Sequence, residues 1–215
     1  MSQTASLIAV APSPRNQIGQ VMGRKGQDTR ARLIGAVVRL IADRPLRELK
    51  VSDIAREAGV GASSFYVYFP DVSAAVLAAL AQHSQATPEL MEIVDREWTP
   101  SNAIEFARGF VMAFRAFWKD NFALLRARNL AYDEGDERFN AQRCQDIEPI
   151  LVSLAAKVEV SQRAGRLPPG VPPRRIAALL LGALERMAAG NRLDEETIEA
   201  AAFVMVASLG LHEAS

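Results

Sequence analysis

Four hydroxyls crowd into the six residues Ser63-Ser64-Phe65-Tyr66-Val67-Tyr68, and no charged side chain interrupts them. Hydroxyls of this kind suit phosphate oxygens, and the small side chains beside them would let a helix sink into the major groove of DNA. Other reactive groups are sparse. His83 and His212 are too few and too separated for a metal centre or a catalytic triad. No phosphate-cradling G-x-x-x-x-G-K-[ST] loop occurs, and no nucleophile stands beside a base. Glu134, Asp136 and Glu137 cluster, but in a loop-like, solvated run. The single cysteine, Cys144, excludes an intrachain disulfide, fits a reducing compartment and reads as a packing residue. Neither an enzyme nor a bound cofactor or metal is expected.

The elements that would hold the hydroxyls in place lie just before them. From Val51 to Phe69 the sequence meets the demands of two short helices crossed through a tight turn. Ala55 supplies the small residue needed midway along the first helix. Gly59, four residues on, tolerates positive φ at the turn. Phe65, six residues further, is an apolar anchor pointing back, while Ile54, Ala58, Val60 and Tyr68 fill the inner faces. Ala62, Ser63, Ser64, Tyr66 and Val67 remain for the outer face. The same spacing also suits a compact three-helix domain with no role in DNA binding.

Charge adds a second sign. The chain of 215 residues is formally neutral, but residues 1–69 carry ten bases against five acids, and the remainder is acidic to the same extent. A basic first third on an acidic body suggests that one end meets a polyanion. With 49% hydrophobic and 23% charged residues the composition is that of an ordinary globular protein. Leu7 to Ala11 makes a poor signal peptide, because no charged segment precedes it, and Ile176 to Leu184 is too short to span a bilayer. A soluble cytoplasmic protein is expected.

Along the rest of the chain the period is helical throughout. Residues 1–23, rich in Ser, Pro, Gln and Gly, read as a flexible arm. Leu33, Val37, Leu40 and Ile41 mark a helix that begins near Asp28 and ends at Pro45. Asp71 can cap a helix carrying Val72, Val76, Leu77 and Leu80, which Pro88 breaks or kinks. Thr99-Pro100 reads as the start of the next helix, and further helices are expected over about 121–133, 137–163, 174–190 and 195–211. The loop Leu167-Pro168-Pro169-Gly170-Val171-Pro172-Pro173 separates the last pair from the rest, and Asp194 can cap the final helix. The fold class is all-α, with about nine helices and no strand.

Residues 23–80 resemble the DNA-binding domain of the TetR family of transcriptional regulators. The resemblance rests on Thr29-Arg30, Leu33-Ile34, Ala36, Val51, Asp53-Ile54-Ala55, Ala58-Gly59-Val60, Phe65-Tyr66 and Tyr68-Phe69. It implies a helix-turn-helix head over residues 24–72 and a helical effector-binding and dimerisation domain over residues 73–215. It also implies a homodimer on a palindromic operator in double-stranded DNA, whose affinity for that operator falls when a small-molecule effector binds. The expected reading is a ligand-responsive regulator, released as a repressor by an apolar or amphipathic effector. The alternative is an all-helical enzyme or small-molecule carrier.

The sequence departs from the family at three capping or contact positions. Lys50 stands where Thr or Ser is usual, so Asp53 is expected to support the first turn through the helix dipole. Gly61 replaces a capping Ser, and Val72 replaces a phosphate-binding Lys. The recognition helix itself carries no Lys or Arg. DNA contacts are expected from Ser52, Ala62, Ser63, Ser64, Tyr66, Val67 and Tyr68, together with the flanking Arg24, Lys25, Arg30 and Arg47. Phe106, Phe110, Phe114, Phe117 and Trp118, with Asn129 and Tyr132, are the expected effector site; taken singly, each of the aromatic residues reads rather as core, and it is as a set that they suggest an apolar cavity. Apolar stripes through Leu180, Ala183 and Met187, and through Ile198, Ala202, Met205 and Leu209, are the expected dimer seam.

Overall fold

The computed structural model describes Gln20, residues 22–83 and residues 88–212. Most of the expected arm, residues 1–19 and 21, lies outside the described residues. Among the described residues all regular structure is helical, in ten α-helices and a 3-10 turn at Leu46–Glu48. The helices are α1 (Arg24–Asp43), α2 (Val51–Glu57), α3 (Ala62–Tyr68), α4 (Val72–His83), α5 (Pro88–Asp95), α6 (Ala103–Asp120), α7 (Phe122–Asp133), α8 (Glu137–Arg163), α9 (Pro173–Ala189) and α10 (Glu195–Ser208). The chain folds as two compact units, Met1–Ala78 and Ala79–Ser215.

In the first unit α1 packs on α2, and α2 on α3. The stripe Leu33, Ile34, Val37 and Ile41 is buried, as are Ile54, Ala55, Ala58, Phe65 and Phe69. Asp71 caps α4 as its position suggests, accepting a hydrogen bond of 2.7 Å from the Ala74 amide. Helix α1 starts a turn earlier than Asp28, because the Gly23 carbonyl accepts from the Gly26 and Gln27 amides and so begins the helix.

In the second unit α6 lies along α10 and α5, while α8 lies along α9, α7 and α5. The helix expected at Thr99-Pro100 starts instead at Ala103. The Thr99 amide donates to the Asn102 side chain, and that turn occupies the residues in between. Asp194 caps α10 by accepting from the Thr197 amide at 2.8 Å. Pro149 sits inside α8, where it removes one helical N–H. Cys144 is exposed rather than packed, since it lies on the outer side of α8.

Candidate functional site

The turn between α2 and α3 is set by its own backbone. Ala58 closes α2, Gly59 follows at φ +65°, the Gly59 amide donates to the Arg56 carbonyl, and the Val60 amide reaches back to the Ala55 carbonyl at 2.9 Å. This pair of reversed bonds ends a helix in one step, and the left-handed residue at its centre favours glycine. A Cβ on Gly59 would also stand 2.8 Å from the Arg32 guanidinium. Arg32 reaches across from α1 and donates to the Ala58 and Gly59 carbonyls, the second at 3.0 Å. It thereby satisfies carbonyls left open at the end of α2 and ties the turn to α1. Sequence reasoning missed Arg32, because nothing local in the sequence distinguishes it from the other exposed arginines of α1.

Neither Lys50 nor Gly61 forms a side-chain cap. Asp53, in the first turn of α2, bonds Arg56 at 2.9 Å and Arg44 at 3.3 Å. It therefore neutralises two bases besides complementing the helix dipole.

The outer face of α3 presents Ala62, Ser63, Tyr66 and Val67 to solvent, with Tyr66 56% and Val67 40% accessible. Phe65 is fully buried on the opposite side and holds the Tyr66 ring edge-to-face at 5.6 Å. Ser64 and Tyr68 are only half-exposed, and the Tyr68 hydroxyl lies beside Gly26 at the start of α1. Ser52, on the first turn of α2, is exposed. Of the flanking bases, Arg24, Lys25 and Arg47 are exposed. Arg30 differs from them: its guanidinium sits 5.3 Å over the Phe69 ring, and burial lowers its pKa. The first unit thus offers an uncharged helix face, rich in hydroxyls and methyl groups, flanked by exposed cations.

The expected effector residues are not brought together as one wall. Phe106 faces Trp98 and lies under the Arg96 guanidinium. Phe110 stacks on Phe114 with ring centroids 6.1 Å apart, and both are buried. Phe114, Phe117 and Trp118 do share a cavity with Leu90, Leu125, Ile147 and Ile150, but it encloses only about 20 Å³. That is room for about one water. Asn129 accepts from Arg128, which lines this cavity, whereas Tyr132 is 42% exposed at the surface. The aromatic run of α6 keeps to one side of the helix, and there Phe110, Phe114 and Trp118 are buried against their neighbours with little open space between them.

Charged groups form the floor of this cavity. Arg128 of α7, only 3% accessible, bonds Glu185 of α9 at 2.9 Å and faces Asp146 of α8 at 3.9 Å. Arg143 of α8 holds the other oxygen of Glu185 through its Nε at 2.8 Å. Two bases and two acids thus neutralise one another across three helices. Burial lowers the pKa of Arg128, and Glu185 opposes that shift. A larger groove of about 320 Å³ opens between the end of α5 and α8, with Lys157 placed 5.1 Å over the ring of Trp98. Two of its polar side chains are engaged: Ser153 donates to Asp95 and Lys157 to the Arg96 carbonyl.

The seam residues are divided by the fold. Ala183 and Met187 of α9 are exposed, but Leu180 is not. On α10 and its C-cap, Ile198, Ala202, Met205 and Leu209 are all buried within the chain and have almost no surface left to lose. The expectation for α10 is corrected accordingly, and the reason is physical. This helix is apolar nearly all round, so its period does not say which side the chain's own α6 covers. The apolar residues left outside are Leu179 at 75% and Phe203 at 68% accessible, with Val204 at 51% and Met187 at 38%.

A Gly-turned pair of short helices with a bare, exposed second helix, followed by a helical body, is the arrangement of a helix-turn-helix DNA-binding protein. Residues 33–79 match the description "Bacterial regulatory proteins, tetR family", and residues 89–207 match "Tetracyclin repressor-like, C-terminal domain". The chain belongs to the TetR family of transcriptional regulators. It is 32% identical over 77 residues to the HTH-type transcriptional regulator EthR of Mycobacterium tuberculosis, a match that spans 36% of this chain and 35% of that one. Its fold is similar to that of a tetR-family transcriptional regulator from Streptomyces coelicolor, with TM-score 0.63, 20% identity and coverage of 87% of this chain and 82% of the other. It is similar also to that of the transcriptional regulator FadR from Bacillus subtilis in complex with stearoyl-CoA, with TM-score 0.61, 17% identity and coverage of 85% and 99%. Among the described residues, no single helix is long and apolar enough to cross a membrane.

Proposed function

We propose that this regulator is a cytoplasmic homodimeric repressor that seats its two α3 helices in the major groove of a palindromic operator. The observation that carries the reading is the exposed face of α3, Ala62, Ser63, Tyr66 and Val67, flanked by the exposed cations Arg24, Lys25 and Arg47. Small and hydroxyl side chains let the helix enter the groove, and the cations supply affinity by releasing counterions from phosphate. Arg30, Ser52, Ser64 and Tyr68 stand at the edge of this surface. Leu179, Ala183 and Met187 of α9 with Phe203 and Val204 of α10 make an apolar face that a second copy would cover about a two-fold axis. A small apolar or amphipathic effector would enter at Phe114, Phe117 and Trp118, its polar end meeting the Arg128 network and its bulk spreading α7 and α8 apart. That FadR is described in complex with stearoyl-CoA supports an amphipathic effector class.

A mobility-shift experiment with the duplex upstream of the protein's own gene tests this directly. The expected result is a shifted band whose footprint has two-fold symmetry, with half-sites about one or more helical turns of ~34 Å apart. Binding that is no tighter than to arbitrary DNA would overturn the reading in favour of a carrier.

A further inference from the structure

We propose that α3 reads its half-site mainly through the 5-methyl groups of thymine, contacted by Val67 and Ala62, and not through base hydrogen bonds from charged or amide side chains. This rests on the operator-binding reading above. Every base pair shows a distinct pattern in the major groove, and proteins usually read it with a small set of side chains. Arg and Lys serve guanine, Asn and Gln adenine, and Asp and Glu cytosine. None of these six types occurs between Gly61 and Phe69. The charges of α2 are each engaged in an ion pair: Arg56 bonds Asp53 at 2.9 Å, Asp53 bonds Arg44 as well, and Glu57 bonds Arg39 at 2.7 Å.

What α3 does present is a single face, Ala62, Ser63, Tyr66 and Val67, spaced so that all four lie on one side of the helix while Phe65 is buried on the other. The hydroxyls of Ser63 and Tyr66 both donate and accept, so they bond phosphate or several base edges with little discrimination. Val67, 40% accessible, has two methyl groups and no polar alternative. Thymine is the base that offers an apolar group in the major groove, and burying a methyl against a methyl removes both from water. Selectivity of this kind is modest at each position, about fourfold per methyl. It becomes useful when two half-sites are read together, which couples the specificity of α3 to dimer formation.

The test uses the full-length protein and an operator selected from a random duplex pool, footprinted to place its half-sites. Each thymine in a half-site is then replaced by uracil, which removes the 5-methyl group and leaves every hydrogen-bonding edge unchanged. The expected result is one or two positions per half-site at which the replacement weakens binding about fourfold, rising to tenfold or more when both half-sites are altered. In the Val67→Ala variant, sensitivity to uracil should vanish at one of those positions and persist elsewhere. Tight binding that no uracil replacement changes, or a selected half-site whose contacted positions contain no thymine, would overturn the inference while leaving the operator-binding reading intact. Absence of any preferred duplex would overturn both.

Discussion

The two units handle charge in opposite ways. In the first, α3 keeps its exposed face free of ionised groups, and the exposed cations Arg24, Lys25 and Arg47 belong to other segments of the unit. In the second, two bases and two acids from α7, α8 and α9 meet in an otherwise apolar interior beside Trp118. The contrast follows from what each surface faces. A helix that enters a groove gains from being slim and from leaving its cations available for phosphate. A buried network gains little net stability, because desolvation offsets attraction, but once one member is lost the others are stranded. The first unit is therefore expected to tolerate surface changes at the cost of binding, and the second to lose its fold when a single charge is removed or misplaced.

The largest effects should come from burying charge without a partner. Met205 is 1% accessible, so Met205→Lys is predicted to destabilise the second unit by about 3–5 kcal/mol, whereas Phe203→Glu on the exposed side of the same helix should keep the helix content and yield a monomer. Circular dichroism with sedimentation separates the two outcomes, and a Phe203→Glu protein that stays dimeric would put the seam elsewhere. Removal of Arg128 comes next. Arg128→Met leaves Glu185 and Asp146 with one fewer partner and should cost about 3 kcal/mol in urea unfolding. Adding Glu185→Leu should recover part of that loss, and equal or greater loss in the double variant would show that the network is not the cause.

Smaller effects sharpen the contrast from the side of the first unit. Gly59→Ala forces a Cβ onto a φ of +65° and into the Arg32 guanidinium, and a loss of about 1–2 kcal/mol is expected in thermal unfolding. Tyr66→Ala should change stability by no more than about 1 kcal/mol, yet weaken binding to all duplexes alike, since a phosphate contact carries no base information. Anisotropy titrations on operator and scrambled DNA would check this; an intact operator affinity would remove Tyr66 from the interface. Smallest in magnitude is the salt effect. Neutralising Arg24 and Lys25 together should flatten the slope of log affinity against log salt by about two units. Arg30, held over Phe69, should contribute less to that slope and more to stability.

Much of the first unit was legible in the sequence. Its determinants are local: Ala55, Gly59 and Phe65 act through a turn whose bonds span only a few residues. Helix limits in the second unit were legible where a cap or a proline marks them, as at Asp194 and Pro173, and shifted where a side chain intervened, as Asn102 does at Thr99. The aromatic set of α6 announced a helix but not its role, because a phenylalanine in a core and one lining a cavity have the same period. Packing against several neighbours turned most of the set into core.

By itself, then, the sequence determined the helical class, the helix-turn-helix and its uncharged outer face, since each depends on spacing within one or two turns of helix. Tertiary structure alone decided three matters. It chose which side of α10 belongs to the chain's own core, because an all-round apolar helix carries no preference until α6 covers one side. It brought Arg128 to Glu185, 57 residues apart, and so made buried partners of two charged residues on separate helices. And it set Arg32 on the carbonyls at the end of α2, since a donor reaches a carbonyl 26 residues away only after both helices have packed.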